Sequence, residues 1–486
     1  MTVLVDSRRD FTLENFRRVA LGGEGVRIGA EARRSMAAAR ESFMALLDSD
    51  RSAFIYGTTT RAGIEVGRPL APDEQRDYAR AGRRNSSPSF GGEGNLGEHV
   101  VRGIVFARLA NFVEGNAKTR PVIAERIAAL LDGPLPTLPL GGQDGPGEVL
   151  PLLRLMSAIE GDFEEGEPMA LVNGSPCAAA LAADVALASR RRLRIAERIF
   201  ALSVEAFRAP LEAYDEALEA LWEDEHEVAA LRALRESLIG ASENDRITHQ
   251  APVSYRILAR VLGHAHRAVA AMEHTARVSL RSVTDNPVYL PPDEHHPLGR
   301  AISTGGYHNG MVYPAMGAIA AAWADLAFLA ERHVTAMHVG ATAGHLPRLL
   351  ERPGGDGGRT NLLGWVAGSF LEDARRAATP TLLPVGFADA QNDVAVPTFG
   401  TYRKVKAAHD CLDASLALLA ASSSQALWAT DRTPAPPLRP LVEDVRSIVE
   451  PVDSPVGRDL GDELDRLAGA ISAFAVASGD ESAFAR

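Results

Sequence analysis

LASRRRLRIAERIFALSVEAFRAPLEAYDEALEALW, residues 187–222, decides the fold class. Apolar side chains recur through it at three- and four-residue spacing, the period of one helix face, rather than in the alternation of a half-buried strand. No glycine interrupts it and its single proline is Pro210, so it predicts one long kinked helix of roughly ten turns. Similar patterns over 253–283, 312–339 and 402–428 predict further long helices, with alanine frequent enough for close helix approach. The expected fold class is all-α, a bundle of long helices.

The 486 residues exceed the usual single-domain size, and 46% hydrophobic with 23% charged residues is an ordinary globular composition. A loop-rich region is expected over 1–186, the bundle over 187–432, and a linker with C-terminal helices over 433–486, where TPAPPLRP (433–440) reads as extended. The formal net charge of -12 opposes the counterion release that rewards nucleic-acid binding, which leaves small molecules or proteins as partners. Two cysteines, Cys177 and Cys411, make neither a disulfide framework nor a zinc cluster, as expected in a reducing cytoplasm. The opening MTVLVDSRRD lacks the apolar core of a signal peptide. The apolar run 315–330 carries Asp325 and much alanine, which suits a buried helix better than a membrane span.

Chemistry is sought in the loops, where glycine and proline gather at 91–97, 133–147, 285–310 and 353–358. Six short segments stand out in chain order: Tyr56-Gly57 in FIYGTTTRAG, Asn173-Gly174 in LVNGSP, QAPVSYR from Gln250 to Arg256, Thr284-Asp285-Asn286-Pro287, GGYHNG from Gly305 to Gly310, and Ala390-Gln391-Asn392-Asp393. With the opening FTLENFRRVA (11–20), they resemble, in the same order, motifs of the histidine and aromatic amino acid ammonia-lyase family: Y-G-x-N-T-G-F-G, L-x-N-G-T, Q-D-x-Y-S-x-R, S-D-N-P, G-G-N-F-H-G and N-Q-E-D. Each motif alone is weak; six in order are specific, and together they span nearly the whole chain. The resemblance implies a long-helix bundle of the ammonia-lyase/fumarase type, with a loop-rich N-terminal region carrying part of the site. It also implies a homotetramer whose sites are shared between subunits, and a catalytic tyrosine at Tyr56.

The family further carries a methylidene-imidazolone made from consecutive Ala-Ser-Gly before a D-L-A-P-L run. The matching segment here is GGQDGPGEVLPL (141–152), so Gly145-Pro146-Gly147 stands in place of Ala-Ser-Gly. Ring closure puts the amide nitrogen of the third residue on the carbonyl of the first, and the electrophile appears when the serine loses water. Pro146 has no hydroxyl to lose, and its ring fixes φ and removes the N–H. No cofactor is therefore expected. Acid/base help is worth about 10²- to 10⁴-fold, short of what covalent activation gives a poor leaving group such as an amine. A literal Ala-Ser-Gly at 477–479 sits beside the C-terminus, where chains fray, and reads as chance recurrence. Other family positions have moved too: the tyrosine of Q-D-x-Y-S-x-R is Val253, the glutamate of N-Q-E-D-H is Asn392, its histidine is Val394, and the S-H-A-A-G histidine falls near Phe90.

Several residues read two ways. Tyr56 is a general acid/base at a loop tip or a buried tyrosine satisfying its hydroxyl, and its matching neighbours favour the first. Arg256 is a bidentate carboxylate fork or one half of a structural ion pair. Tyr255 and Tyr307 extend the polar site or, more commonly for such residues, anchor packing. His308, in a matched motif, is an acid/base or a packing residue. His249, His264, His266, His295, His296, His333, His338 and His345 scatter without metal-ligand spacing, so no metal is expected. Glu148 is expected to cap the helix that follows it. These readings combine into an enzyme for elimination, addition or cyclisation of an activated carboxylate- or acyl-bearing small molecule in specialised metabolism. Tyr56 and His308 would carry protons, with Asn173, Gln250, Tyr255, Arg256, Tyr307, Phe90 and Asn392 around the substrate. The alternative is a non-catalytic homologue kept as a ligand- or protein-binding scaffold. Joint retention of Tyr56, Asn173 and Arg256 favours the enzyme.

Overall fold

Long helices form where the apolar period is uninterrupted: Val312–His338 and Thr398–Ala429 match two expected stretches closely. The computed structural model describes residues 1–81, 87–90, 94–247, 250–339, 345–352, 360–386, 391–452 and 459–476. The motif residue Ala390, His249 and the Ala-Ser-Gly at 477–479 lie outside these. Among the described residues two small sheets accompany the helices. Thr2–Val5 pairs in parallel with Gly25–Ile28, and Val288–Leu290 pairs antiparallel with Arg300–Ile302.

Three expectations need correction. Residues 187–222 are not one kinked helix. The helix begins at Pro176, where proline is already set for a first turn, and ends at Phe207, because Arg208 takes a left-handed backbone (φ 59°) ahead of Pro210. Beyond it lie a short 3-10 turn, Leu211–Tyr214, and the helix Ala217–Trp222. The stretch 253–283 is likewise two helices, Val253–Arg256 and Leu258–Arg281, because Ile257 leaves the helical conformation (ψ 1°). The supposed linker is no free strand: Ala435 and Leu438 are buried, Pro436–Leu438 forms a 3-10 turn, and a helix starts at Arg439.

The chain divides into two compact units, each discontinuous in sequence. The first comprises Met1–Ala186, Met272–Pro314 and Thr381–Arg403. Its helix Ala30–Ser49, rich in strong helix formers, buries Ala32, Met36, Ala39, Phe43 and Leu47 on one face. Asp6, just past the first strand, caps that helix by accepting the Glu31 N–H (2.9 Å). Phe43 meets Tyr289 edge-on at 5.6 Å, which ties the helix to the strand before the 300–302 hairpin partner. The second unit comprises Leu187–Ala271, Ala315–Pro380 and Lys404–Arg486. There Asp224 caps the helix Glu225–Ser237, and a fully buried Arg192–Asp413 pair (2.8 Å) joins its long helices. Val312–His338 is apolar and long enough to cross a bilayer, but 56% of its most apolar window is buried by the fold itself, as in a core helix.

Candidate active site

The first unit gathers most of the residues singled out in the sequence. Gly57 has φ 65°, and a β-carbon there would lie 2.5 Å from Met169 Cε, so the Tyr56-Gly57 turn packs directly on helix Glu167–Val172. That helix ends at Asn173, whose side-chain amide donates to Met169 Sδ (3.4 Å) while its Oδ1 accepts the Gly174 N–H (2.9 Å). Tyr307 lies on the 145–147 turn, its ring 3.2 Å from where a Gly147 β-carbon would be. Tyr307 and Tyr78, the latter on helix Pro72–Ala81, are the electrostatic neighbours of Tyr56. His308 Nε2 hydrogen bonds the Ala395 carbonyl (3.3 Å), and the next N–H, of Val396, donates to the Gly145 carbonyl (2.8 Å). The Phe90 carbonyl abuts Gly142 while its ring is 84% exposed. Asn392 is half-buried, two residues before Val394, which bridges Val385.

Tyr56 is half-buried and hydrogen bonded as an acceptor. Its hydroxyl oxygen accepts the Gly63 N–H (2.8 Å), and its own hydrogen has no acceptor among the described residues. Burial raises its pKa above the ordinary tyrosine value, which keeps the phenol protonated at neutral pH. At 145–147 the chain makes a tight turn in which the Gly147 N–H donates to the Gly145 carbonyl (2.8 Å), with φ 125° at Gly147. The middle residue offers no hydroxyl, so these residues do not fit the ring that the family builds from Ala-Ser-Gly.

Glu148 departs from expectation. It precedes helix Val149–Met156, yet its carboxylate caps a different helix: Oε2 accepts the Cys177 N–H (2.6 Å) and Oε1 the Ala178 N–H (2.7 Å), in the first turn of Pro176–Phe207. Burial pushes this carboxyl up to about 7, against the pull of the two N–H groups. Arg108, fully buried, donates to the carbonyls of Asn173 and Ala170 and pairs with Asp285 at 2.6 Å. Burial pushes the Asp285 carboxyl up despite Arg108 and Lys118. It also brings buried Lys118 down to about 8, with Nζ donating to the Pro287 carbonyl (2.9 Å). Thr284 Oγ1 accepts the Ser175 N–H (2.9 Å), and Gly306 backs onto Thr284. These contacts fix the Asn173 turn against the segment bearing Tyr307 and His308. Sequence reading missed Tyr78, Arg108 and Lys118; the available signal was an arginine inside the largely apolar helix Glu98–Leu109.

Gln250, Tyr255 and Arg256 belong to the second unit. Tyr255, 1% exposed, stacks on His333 (centroids 3.6 Å apart, 3° between planes) and on Phe207 (4.4 Å), and Tyr214 donates its hydroxyl to the Tyr255 carbonyl (2.8 Å). Burial takes His333 down to about 3, so the stacked ring is neutral, with Nδ1 2.7 Å from the Ser203 hydroxyl. Tyr255 is therefore a packing anchor for the helix Val253–Arg256. Arg256 and Gln250 are exposed, and Arg256 donates from Nε to the Ala251 carbonyl (3.0 Å). Among the described residues it makes no ion pair.

Residues 11–167 and 156–447 match the family model for aromatic amino acid lyases. The chain belongs to the aromatic amino acid lyase family. It is 27% identical over 314 residues to a histidine ammonia-lyase of Geobacillus kaustophilus (strain HTA426), covering 58% of this chain and 61% of that enzyme. This chain thus spans less than two thirds of that relative's length in the alignment. The fold is that of tyrosine aminomutase from Streptomyces globisporus (TM-score 0.83, 22% identity, 98% of both chains). It is also that of the ergothioneine-degrading ergothionase of Treponema denticola (TM-score 0.87, 15% identity, 98% and 99% of the chains). These relationships place the chain in the family and show the all-α bundle expected.

Proposed function

We propose that this enzyme works without the methylidene-imidazolone group, moving protons on a small molecule that carries a carboxylate or acyl group and its own activation. The observation that carries this reading is the Gly145-Pro146-Gly147 turn, which has no alcohol to dehydrate, in the neighbourhood of a Tyr56 hydroxyl whose proton is free to donate. Activation must then come from a carbonyl that acidifies a C–H bond, or from a leaving group better than an amine. Tyr56 acts as the general acid. His308 suits the base: when its Nε2–H donates to the Ala395 carbonyl, Nδ1 keeps a lone pair. Arg256 supplies a guanidinium fork for the carboxylate. The family resemblance supports a homotetramer with shared sites, and the composition supports a cytoplasmic enzyme. The missing alcohol supports specialised metabolism in place of amino acid breakdown.

Intact mass and near-ultraviolet absorbance of the purified protein test the central point. The expected result is the mass of the unmodified chain and no absorbance beyond its aromatic residues. A mass lowered by lost water together with a new near-ultraviolet band, or rapid ammonium release from histidine, phenylalanine or tyrosine, would refute it.

A further inference from the structure

Met169 is where the Tyr56 turn and the Asn173 turn meet. It lies on helix Glu167–Val172, which is pinned at both ends. At the first, the buried Glu167 carboxylate accepts the Arg120 backbone N–H (3.0 Å) and its guanidinium (2.7 Å). At the second, buried Arg108 donates to the Ala170 and Asn173 carbonyls. From this fixed base Met169 reaches both ways. Its sulfur accepts the Asn173 side-chain amide (3.4 Å). Its methyl lies 2.5 Å from where a β-carbon on residue 57 would be, a place left open because Gly57, at φ 65°, carries none.

The loop bearing Tyr56 is shaped by its own bonds: the Tyr56 hydroxyl accepts the Gly63 N–H, Thr59 Oγ1 accepts the Ile55 N–H (2.8 Å), and the Thr59 carbonyl accepts the Leu70 N–H (2.8 Å). The turn meets the helix where Gly57 packs on Met169 and Thr58 comes beside the helix N-cap, Gly166. We propose that Met169 is a positioning residue, holding the Tyr56 turn in register with the Asn173 amide, and that oxidation of its sulfur by hydrogen peroxide releases the turn. A lone pair of Sδ attacks one peroxide oxygen, the O–O bond breaks, and the other oxygen leaves as water, giving methionine sulfoxide. The added oxygen crowds a side chain whose methyl already abuts Gly57, and it turns an apolar prop polar. Met169 is half-buried, whereas Met36, Met156, Met272, Met316 and Met337 lie in the core and Met311 is 46% exposed. The consequence for catalysis rests on the reading of Tyr56 as the proton donor; the contact does not.

The test treats the full chain with hydrogen peroxide, locates oxidised methionines by peptide mass, and follows the turn in two ways. Limited trypsin cleavage after Arg51 and Arg61, which flank Tyr56, should rise about 5- to 100-fold as crowding favours local opening, with cleavage after Arg260 and Arg267 in the second unit unchanged. The Tyr56 phenolate, read as the ultraviolet difference from Tyr56→Phe treated alike, should form at lower pH once burial no longer raises its pKa. Met169→Leu should show neither response to peroxide, Met311→Leu should show both, and Met169→Gln should resemble the oxidised protein without oxidant. Gly57→Ala crowds Met169 from the other side and should loosen the turn by itself, which keeps the test open if the Met169 variants fail to fold. Peroxide that modifies Met311 but spares Met169 overturns the proposal. So does Met169 sulfoxide with cleavage and phenolate unchanged, or a Met169→Leu protein that responds like wild type. A released turn in protein that keeps full turnover of a true substrate bears out the contact and refutes the role given to Tyr56.

Discussion

Glu148→Gln removes the carboxylate that caps helix Pro176–Phe207 and gives the most quantitative test of the site's framework. Glu148 is 2% exposed, and burial lifts its pKa from 4.5 to about 7. At roughly 1.4 kcal/mol for each tenfold change in proton affinity, keeping it ionised in the folded chain costs about 3 kcal/mol relative to the unfolded chain. The folded carboxyl holds its proton more tightly than the unfolded one, so protonation favours the fold. This contribution is complete below about pH 4.5, declines as pH rises toward 7, and is constant above that. Glutamine exchanges no proton there, and it keeps one acceptor for the Cys177 or Ala178 N–H. Urea unfolding of wild type and E148Q should be compared at several values between about pH 5 and 8, because other titrating groups cancel in the difference. The wild type should lose most of about 3 kcal/mol relative to the variant across that range. Parallel stability curves, with a gap that pH does not alter, would refute the assignment.

Tyr56→Phe should lower turnover of a true substrate about 10²- to 10⁴-fold with its binding held, measured by steady-state kinetics; unchanged turnover removes Tyr56 from proton transfer. Arg108→Met leaves Asp285 buried without its arginine partner and should cost about 3 to 5 kcal/mol in urea unfolding, only partly recovered by adding Asp285→Leu, because the Asn173 and Ala170 carbonyls stay without their donor. Gly147→Ala should lower thermal stability, by about 1 to 3 kcal/mol of backbone strain, since φ is 125° and the Tyr307 ring, 3.2 Å from the new β-carbon, must shift slightly. Gly145→Ala should be tolerated, its nearest neighbour being 3.6 Å away.

Much of the fold was legible because helical period and alanine content are local properties. They fix Val312–His338 almost to the residue and Thr398–Ala429 to within four residues. Local pattern failed where the backbone conformation of one residue decided the outcome. Arg208 at φ 59° ends a helix whose apolar period continues beyond it, so Pro210 looked like a kink when it follows a terminus. The small sheets escaped notice because strands of three or four residues carry too short an alternation to register.

The candidate site divides along the same line. Motif order located Tyr56, Asn173, Tyr307 and His308, which the first unit brings to one neighbourhood, but not the groups that hold them there. Glu148 seemed to cap the adjacent helix because capping is read from neighbours in sequence, whereas its partners Cys177 and Ala178 are distant in the chain. Long-range polar contacts of this kind also explain why the 145–147 loop keeps its shape without a serine. The Gly145 carbonyl accepts both the Gly147 and the Val396 N–H, and Gly142 and Gly147 both have positive φ, with Phe90 and Tyr307 against them. The fold therefore demands this turn whether or not a ring forms in it. With proline at 146 the turn keeps its architecture and offers no alcohol to dehydrate, and on the proposed reading the chemistry of this centre falls to the side chains gathered around it, Tyr56 among them.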